Sequence, residues 1–353
     1  MSQLTVGLAV AGGLVLAAVV AHGAWSARRK LPSTANTAGP DQRTEPSLGG
    51  QGAALQQTAD ADFDEAVLLP SQPLNAERKP GLDALIDAIA HIALPEAGWV
   101  SGEAALASMP ATRRVGTKPF AIEGLNASTR HWESPQAQQR YSAFQAGVQL
   151  ANRNGALNDI EFSEFVQKTT AFADAFDADG EFPEMRDEVA RARELDQFAQ
   201  AHDAQLSFTL RPRSVSWSPG YLQQNASQLG FVAGVMPGRM VLPAQNPGMP
   251  PLLVLSFDTA AALADDPELS ALRECKLSLD APQVRREEQA FVRMRDAAIT
   301  LCARMDGVLC DEAGQRIPAE ALDAIGTDLE RLYDTLDERD LSAGSPQARR
   351  LFS

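Results

Sequence analysis

The sequence predicts an α+β protein: an N-terminal transmembrane helix, a disordered linker, then two related antiparallel-sheet modules of split β-α-β type, each with its helices on one sheet face. Three observations predict this. Leu4 to Ala24 carries no formally charged side chain and is closed by Arg28-Arg29-Lys30. Residues 31–80 are punctuated by Pro32, Pro40, Pro46, Pro70, Pro73 and Pro80 and lack a sustained apolar period. From Gly81 onward, the order strand, helix, strands, helix, helix can be read twice. The expected divisions are 1–30 for the anchor, 31–80 for the linker, 81–202 and 203–341 for the modules, and 342–353 for a C-terminal tail.

About twenty residues at ~1.5 Å rise make roughly 30 Å of helix, enough to cross the hydrocarbon core of a bilayer. A helix satisfies its backbone polar groups internally and so can sit in lipid; a buried helix of a soluble core is the competing reading. A secretory signal carries its positive charge before the apolar stretch, and Met1 to Thr5 has none. The basic cluster follows instead, and that side stays in the cytoplasm. The expectation is a single-pass protein with its short N-terminus outside, contacting the lipid bilayer through Leu4 to Ala24.

The linker is rich in Gln, Thr, Ala, Gly and Asp and cannot bury enough apolar surface to offset its chain entropy. One island within it, Phe63 to Leu69, mixes acidic and apolar side chains. It is read either as a docking segment or as chance.

In the first module, Leu85, Ile86, Ile89, Ile92 and Leu94 suggest a strand near their end, and Ser101 caps a short helix through Ala107. Strands follow over Lys118–Leu125 and Phe144–Ala151, with Asn154-Gly155 as a turn signal. Phe162, Phe165, Val166, Thr169, Phe172, Ala173 and Phe176 make one helical stripe; Met185, Val189, Ala192, Leu195 and Phe198 make another. In the second module, Leu206, Phe208 and Leu210 alternate with Ser207, Thr209 and Arg211, the period of a half-buried strand. Ser218-Pro219 reads as an N-cap and first helical proline, opening a helix to Gly230. Strands are expected over Phe231–Leu242, Leu252–Phe257 and Cys275–Leu279. Helical stripes follow at Phe291, Met294, Ala298, Leu301 and Met305, and at Leu322, Ile325, Leu329, Leu332 and Leu336. A hairpin around Glu312-Ala313-Gly314 separates them. The two orders agree, while residue-level similarity is poor, so a single domain with a helical insert remains the other reading.

The chemistry points away from catalysis. The 31 Lys plus Arg stand against 46 Asp plus Glu, a formal charge of -15, which disfavours nucleic acid as a partner. No phosphate loop, dinucleotide fingerprint, zinc-protease motif or nucleophile elbow occurs. The three cysteines have no Cys-x-x-Cys spacing, as expected of reduced thiols rather than a metal site. Phe176-Asp177-Ala178-Asp179-Gly180 imitates part of a calcium loop, but Ala175 and Arg186 would stand where ligands are needed, so a helix cap and turn is expected. The expectation is no enzyme, no cofactor and no metal.

What remains is an apolar second sheet face. If Leu253, Leu255 and Phe257 face the helices, Leu252 and Val254 face outward. Met236 and Met240 supply adaptable side chains of the kind that suit partner surfaces. The first module could instead cover this face.

The run from about Gln205 to Leu336 includes Gly230-Phe231-Val232-Ala233-Gly234, the strand Leu252–Phe257, Ala281-Pro282, and Met305-Asp306-Gly307 continued through Asp311-Glu312-Ala313-Gly314 to Pro318. Together with the anchor and the Pro- and Gln-containing tether, these pieces resemble the bacterial cell-division ZipA family. It spans a little over a third of the chain. It implies a ZipA-like module in the second half that binds the C-terminal peptide of FtsZ, the tubulin-like protein of the division ring. The whole would link that ring to the inner (cytoplasmic) membrane during septum assembly. Carried onto this sequence, the groove comprises Met236, Met240, Val254, Ser256, Lys276 and Ser278. Ser207 and Thr209 are polar where the family's groove is more apolar, and the 81–202 module has no counterpart in its short members. A tethered ligand-binding regulatory module and a scaffold for other envelope proteins are the alternatives.

The position of Arg28-Arg29-Lys30 sets a test. A reporter active only in the cytoplasm, fused after Ser353, should work, and a periplasm-dependent enzyme at the same place should stay silent. A shortened, soluble periplasmic product would overturn the anchor.

Overall fold

The computed structural model describes residues 81–95, 98–264 and 270–353, all within one compact unit. The expected span Leu4–Ala24, its basic flank, and the linker with its Phe63–Leu69 island lie outside the described residues. Among the described residues, no helix is long and apolar enough to cross a membrane.

The first sheet begins with β1 (Asp87–Ala93). Ser101 then caps α1 (Gly102–Ala107), its hydroxyl accepting from Ala104 N at 3.2 Å. β2 (Lys118–Asn126) and β3 (Arg140–Gln149) follow. Asn158 and Glu161 form a reciprocal capping box that starts α2 (Asp159–Asp174). The calcium-loop look-alike begins with a left-handed Asp177 at φ 50°. The sequence suggested only a turn there, but the chain goes on into β4 (Asp179–Glu181), which pairs with β1. The backbone supplies that strand, since its side chains are all exposed and leave no periodic trace. α3 (Met185–His202) ends the first half.

The second half repeats the sequence of elements. β5 (Gln205–Pro212) leads into α4 (Pro219–Ser227), capped by Ser218. β6 (Arg239–Leu242), β7 (Leu253–Phe257) and β8 (Cys275–Asp280) follow. α5 (Ala290–Arg304), β9 (Gly307–Cys310) and α6 (Ala319–Asp337) complete it. The strand order β2-β3-β1-β4 in the first sheet is matched by β7-β8-β5-β9 in the second, and every one of these neighbours is antiparallel.

Each sheet packs one face on its helices. In the first half Phe162, Phe165 and Phe172 of α2 are buried with Phe120, Ile122 and Phe144, and the Phe144 and Phe172 rings meet edge to face at 5.1 Å. In the second, Phe291, Met294, Ala298 and Leu301 of α5 are buried with Phe208, Leu210, Leu255 and Leu277. Burial of each large side chain contributes about 1.5–3 kcal/mol, an upper bound for a real unfolded chain.

The last residues are not a tail. Ser345 caps α7 (Pro346–Leu351), and Ala348, Leu351 and Phe352 are buried. α7 lies against the first sheet and the second half together. Gln149 Nε2 donates to Arg350 O at 2.8 Å, and Gln283 Nε2 donates to Phe352 O at 2.7 Å. At the tip of the Ala151–Ala156 hairpin, Arg153 reaches Asp203 and Asp280 across the junction at 2.6 and 2.8 Å. The short apolar run Ala348-Leu351-Phe352 gave little sequence signal because its helix is held by groups distant in sequence, Gln149 201 residues from Arg350 and Gln283 69 residues from Phe352.

Asp87 is 1 % exposed and paired with Arg350, whose Nη1 lies 2.9 Å from Oδ2. Burial pushes this carboxyl above the ordinary 3.8, against the pull of Arg350. A group raised on folding contributes stability that is present below its unfolded pKa and declines as pH rises through its folded one. Arg350→Ala removes the opposing pull and raises the carboxyl further. The variant should lose about 3–5 kcal/mol at pH 7. Chemical denaturation should show part of that loss recovered towards pH 5, as the carboxyl takes a proton. Adding Asp87→Asn should abolish the recovery.

Candidate functional site

Antiparallel register places directly opposed residues on one face. In the second sheet, Val232, Val241, Val254, Ser278 and Ser207 form one continuous row across five strands. Arg239, Ser256, Lys276, Thr209 and Cys310 form the next. Both rows lie opposite the helix-facing row of Met240, Leu255, Leu277 and Phe208. Val232 is half exposed, Val241 and Val254 are half-buried, and Arg239 and Lys276 are exposed. The surface is therefore a strip of three valines that runs into serines, with two cations alongside. Adjacent strands stand about 4.8 Å apart, so the valines span roughly 10 Å, the width of an extended peptide with its side chains.

Four of the six expected groove residues meet here: Val254 and Ser278 in one row, Ser256 and Lys276 in the other. The two methionines do not. Met240 is 4 % exposed and pairs with Leu255 on the helix face. Met236 is 62 % exposed in a turn, off the sheet face. The cause is local. The expected strand Phe231–Leu242 is a hairpin, Val232–Ala233 against β6, turned at Gly234 to Gly238. Gly238 has φ +74°, and a Cβ there would stand 2.7 Å from Phe257 O. Pro237-Gly238 was the readable signal. Reversing the chain there re-phases the alternation, which turns Met240 inward and brings Val241 outward. Leu252, expected to face outward, is buried just before β7 begins. Its N–H bonds Leu242 O at 2.8 Å. Thr209, a polar departure from the family pattern, is buried, while Ser207 is half-buried at the end of the valine row.

The equivalent face of the first sheet is partly occupied. Leu82 lies over Gly147, where any Cβ would collide with it. Glu123 accepts from Leu82 N at 3.1 Å and from Gln145 Nε2 at 2.8 Å. The chain entering the fold and α7 leaving it thus cover part of that surface, where His91 and Ala121 stay exposed; the valine strip of the second sheet carries no such cover among the described residues.

Other concavities offer less. A groove of about 690 Å³ between α5 and α6 holds Arg286, Phe291, Arg295 and Tyr333, but Glu330 and Asp334 already engage Arg286. A notch of about 310 Å³ lies at the end of α3, between His202, Leu206 and Leu329. Among the described residues no cluster of three His, Cys, Asp or Glu side chains could hold a metal. Burial pushes the Cys275 thiol far up and that of Cys302 to about 11, so both are protonated at neutral pH.

The register yields a sign for four substitutions. Val254→Asp and Val241→Asp, on the accessible face, should each cost about 1 kcal/mol or less. Leu255→Asp and Met240→Asp place a charge in the core and should cost about 4 kcal/mol or more. Thermal melting separates the pairs; equal losses would mean the valine strip is covered. Compared with known proteins, the chain matches no family model and no curated protein.

Proposed function

We propose that this chain is a membrane-tethered, non-enzymatic peptide receptor of the ZipA type, which holds the C-terminal peptide of FtsZ on the accessible face of its second sheet. The observation that carries the reading is the row Val232–Val241–Val254, bordered by Ser278 and Ser207 and flanked by Arg239 and Lys276. Apolar anchors of the peptide would sit on the valines, and an acidic residue of the peptide would meet the cations. The strand order common to both sheets supports a further part of the proposal, that the modules are divergent copies of one unit. In this reading the first copy has part of its corresponding face covered and serves as the base on which the second is mounted.

Short peptides bind through a few anchors, and truncating one typically costs ~1–2 kcal/mol or more. Val254→Asp should therefore weaken tail-peptide binding to the Gly81–Ser353 fragment at least ~10-fold by titration calorimetry, with its melting temperature nearly unchanged. The fragment should co-sediment with FtsZ filaments and lose this when the tail is clipped. Co-sedimentation that survives clipping would sink the assignment.

A further inference from the structure

The groove between α5 and α6 combines an apolar floor with an acidic rim. Phe291, Leu322, Leu329 and Tyr333 form the floor, and Val292, 40 % exposed, forms part of one wall. Gly326 has no side chain where a Cβ would stand 3.2 Å from the Phe291 ring, so that ring stays open to the groove. Tyr333 is only 5 % exposed, yet its hydroxyl makes no hydrogen bond to any described residue. A buried phenol ordinarily finds a partner, so one polar group on the floor is left unpaired.

The rim carries the charge. At 3.6 residues per turn, Asp323, Glu330, Asp334 and Asp337 fall on one stripe of α6, and Glu287 lines the groove from the turn before α5. Two cations stand against them. Arg286 reaches Asp334 at 2.8 Å and Asp337 at 3.6 Å and also engages Glu330, while Arg295 lies 3.5 Å from Asp296 and 3.6 Å from Asp323. Glu288 pairs with Arg293 and adds no net charge. Among the described residues the rim therefore holds more carboxylates than cations. Asp265, Asp266 and Glu268, outside the described residues, have the same sign.

The two arginines show what this rim receives: Arg286 sits with its guanidinium 5.8 Å over the Tyr333 ring and its nitrogens on the α6 carboxylates. The carboxylates in these pairs are well exposed, and exposed pairs contribute only about 0–1 kcal/mol, so an incoming basic side chain can take over their acceptors. We propose that the α5–α6 groove docks a basic amphipathic helix of a partner protein. Its apolar side chains would lie on Phe291, Val292 and Tyr333, and its Lys or Arg side chains on the Asp323–Asp337 stripe. From Leu322 to Tyr333 the groove follows roughly 16 Å of α6, about three turns of a docked helix. The site lies on the helix side of the second sheet, opposite the valine strip, and is independent of what that strip holds.

The test uses the full chain in nonionic detergent micelles and, as probe, a capped Leu–Lys peptide of helical period carrying one benzoylphenylalanine. Irradiation should join the probe to the peptides that carry Val292 or the Leu322–Tyr333 segment. Asp323→Asn, Asp334→Asn and Asp337→Asn together, checked by melting, should lower that yield at least ~5-fold. Removing exposed carboxylates elsewhere, by Glu103→Gln, Asp174→Asn and Glu194→Gln, should leave it unchanged. Arg286→Gln, which withdraws the chain's own cation from the rim, should raise it. Crosslinks spread over the surface, or a yield that follows net charge and not position, would overturn the inference. A second copy as occupant would also overturn it: benzoylphenylalanine in place of Val292 would then join two chains in the absence of the probe. Val254→Asp should leave the probe's crosslink intact while weakening tail-peptide binding, so the two assignments stand or fall separately.

Discussion

Much of this structure depends on a carboxylate held where water cannot reach it. Asp87 opens an inner strand of the first sheet at 1 % exposure, and its counter-charge comes from Arg350, three residues from the end of the chain. Such a pair adds little net stability over apolar packing of the same volume, but it penalises every arrangement in which the partners fail to meet. It therefore fixes where the last helix goes. That helix binds the first sheet through Gln149 and the second half through Gln283. With Arg153 bridging Asp203 and Asp280, two units that share a strand order become one body.

The same contacts make the two sheets unequal. In the first, the incoming Leu82, the Glu123–Gln145 pair and the C-terminal helix occupy part of the surface opposite the helices. In the second, the corresponding surface keeps its valines partly in water. A common topology thus gives one face that serves assembly and another that keeps its apolar side chains partly exposed. The exposed valines follow from sheet physics. Strands that are apolar on both faces suit a sheet covered on both sides, and when one cover is missing the outward residues stay partly in water.

The accessible strip is narrow, which limits what it can achieve alone. Each fully buried apolar side chain contributes about 1.5–3 kcal/mol, while association and ordering cost several kcal/mol before any affinity appears. Three valines with two flanking cations suit a short segment held by a few anchors better than a broad protein interface. The cations add orientation and rate of encounter more than affinity, because exposed charges remain screened.

The local periods in the sequence determined most of the elements. The stripes Phe162–Phe165–Phe172 and Phe291–Met294–Leu301, the caps Ser101 and Ser218, and the alternation of Leu206–Phe208–Leu210 each encode one buried side, and the structure has them in place. The repeated order of elements was legible for the same reason. Tertiary structure alone decided the rest. β4 forms because β1 offers free backbone groups, not because Asp179-Gly180-Glu181 favours a strand. The last helix is ordered by partners some 200 residues away. Met240 faces inward because one turn at Pro237-Gly238 shifts the phase of every side chain after it. Of the six residues expected in the groove, Val254 was legible from alternation, while Ser256, Lys276 and Ser278 came from the resemblance and share its face because no turn interrupts β7 or β8. Val241 and Arg239 were not, because strand parity follows from register, and register is set by pairing between strands rather than by any one of them.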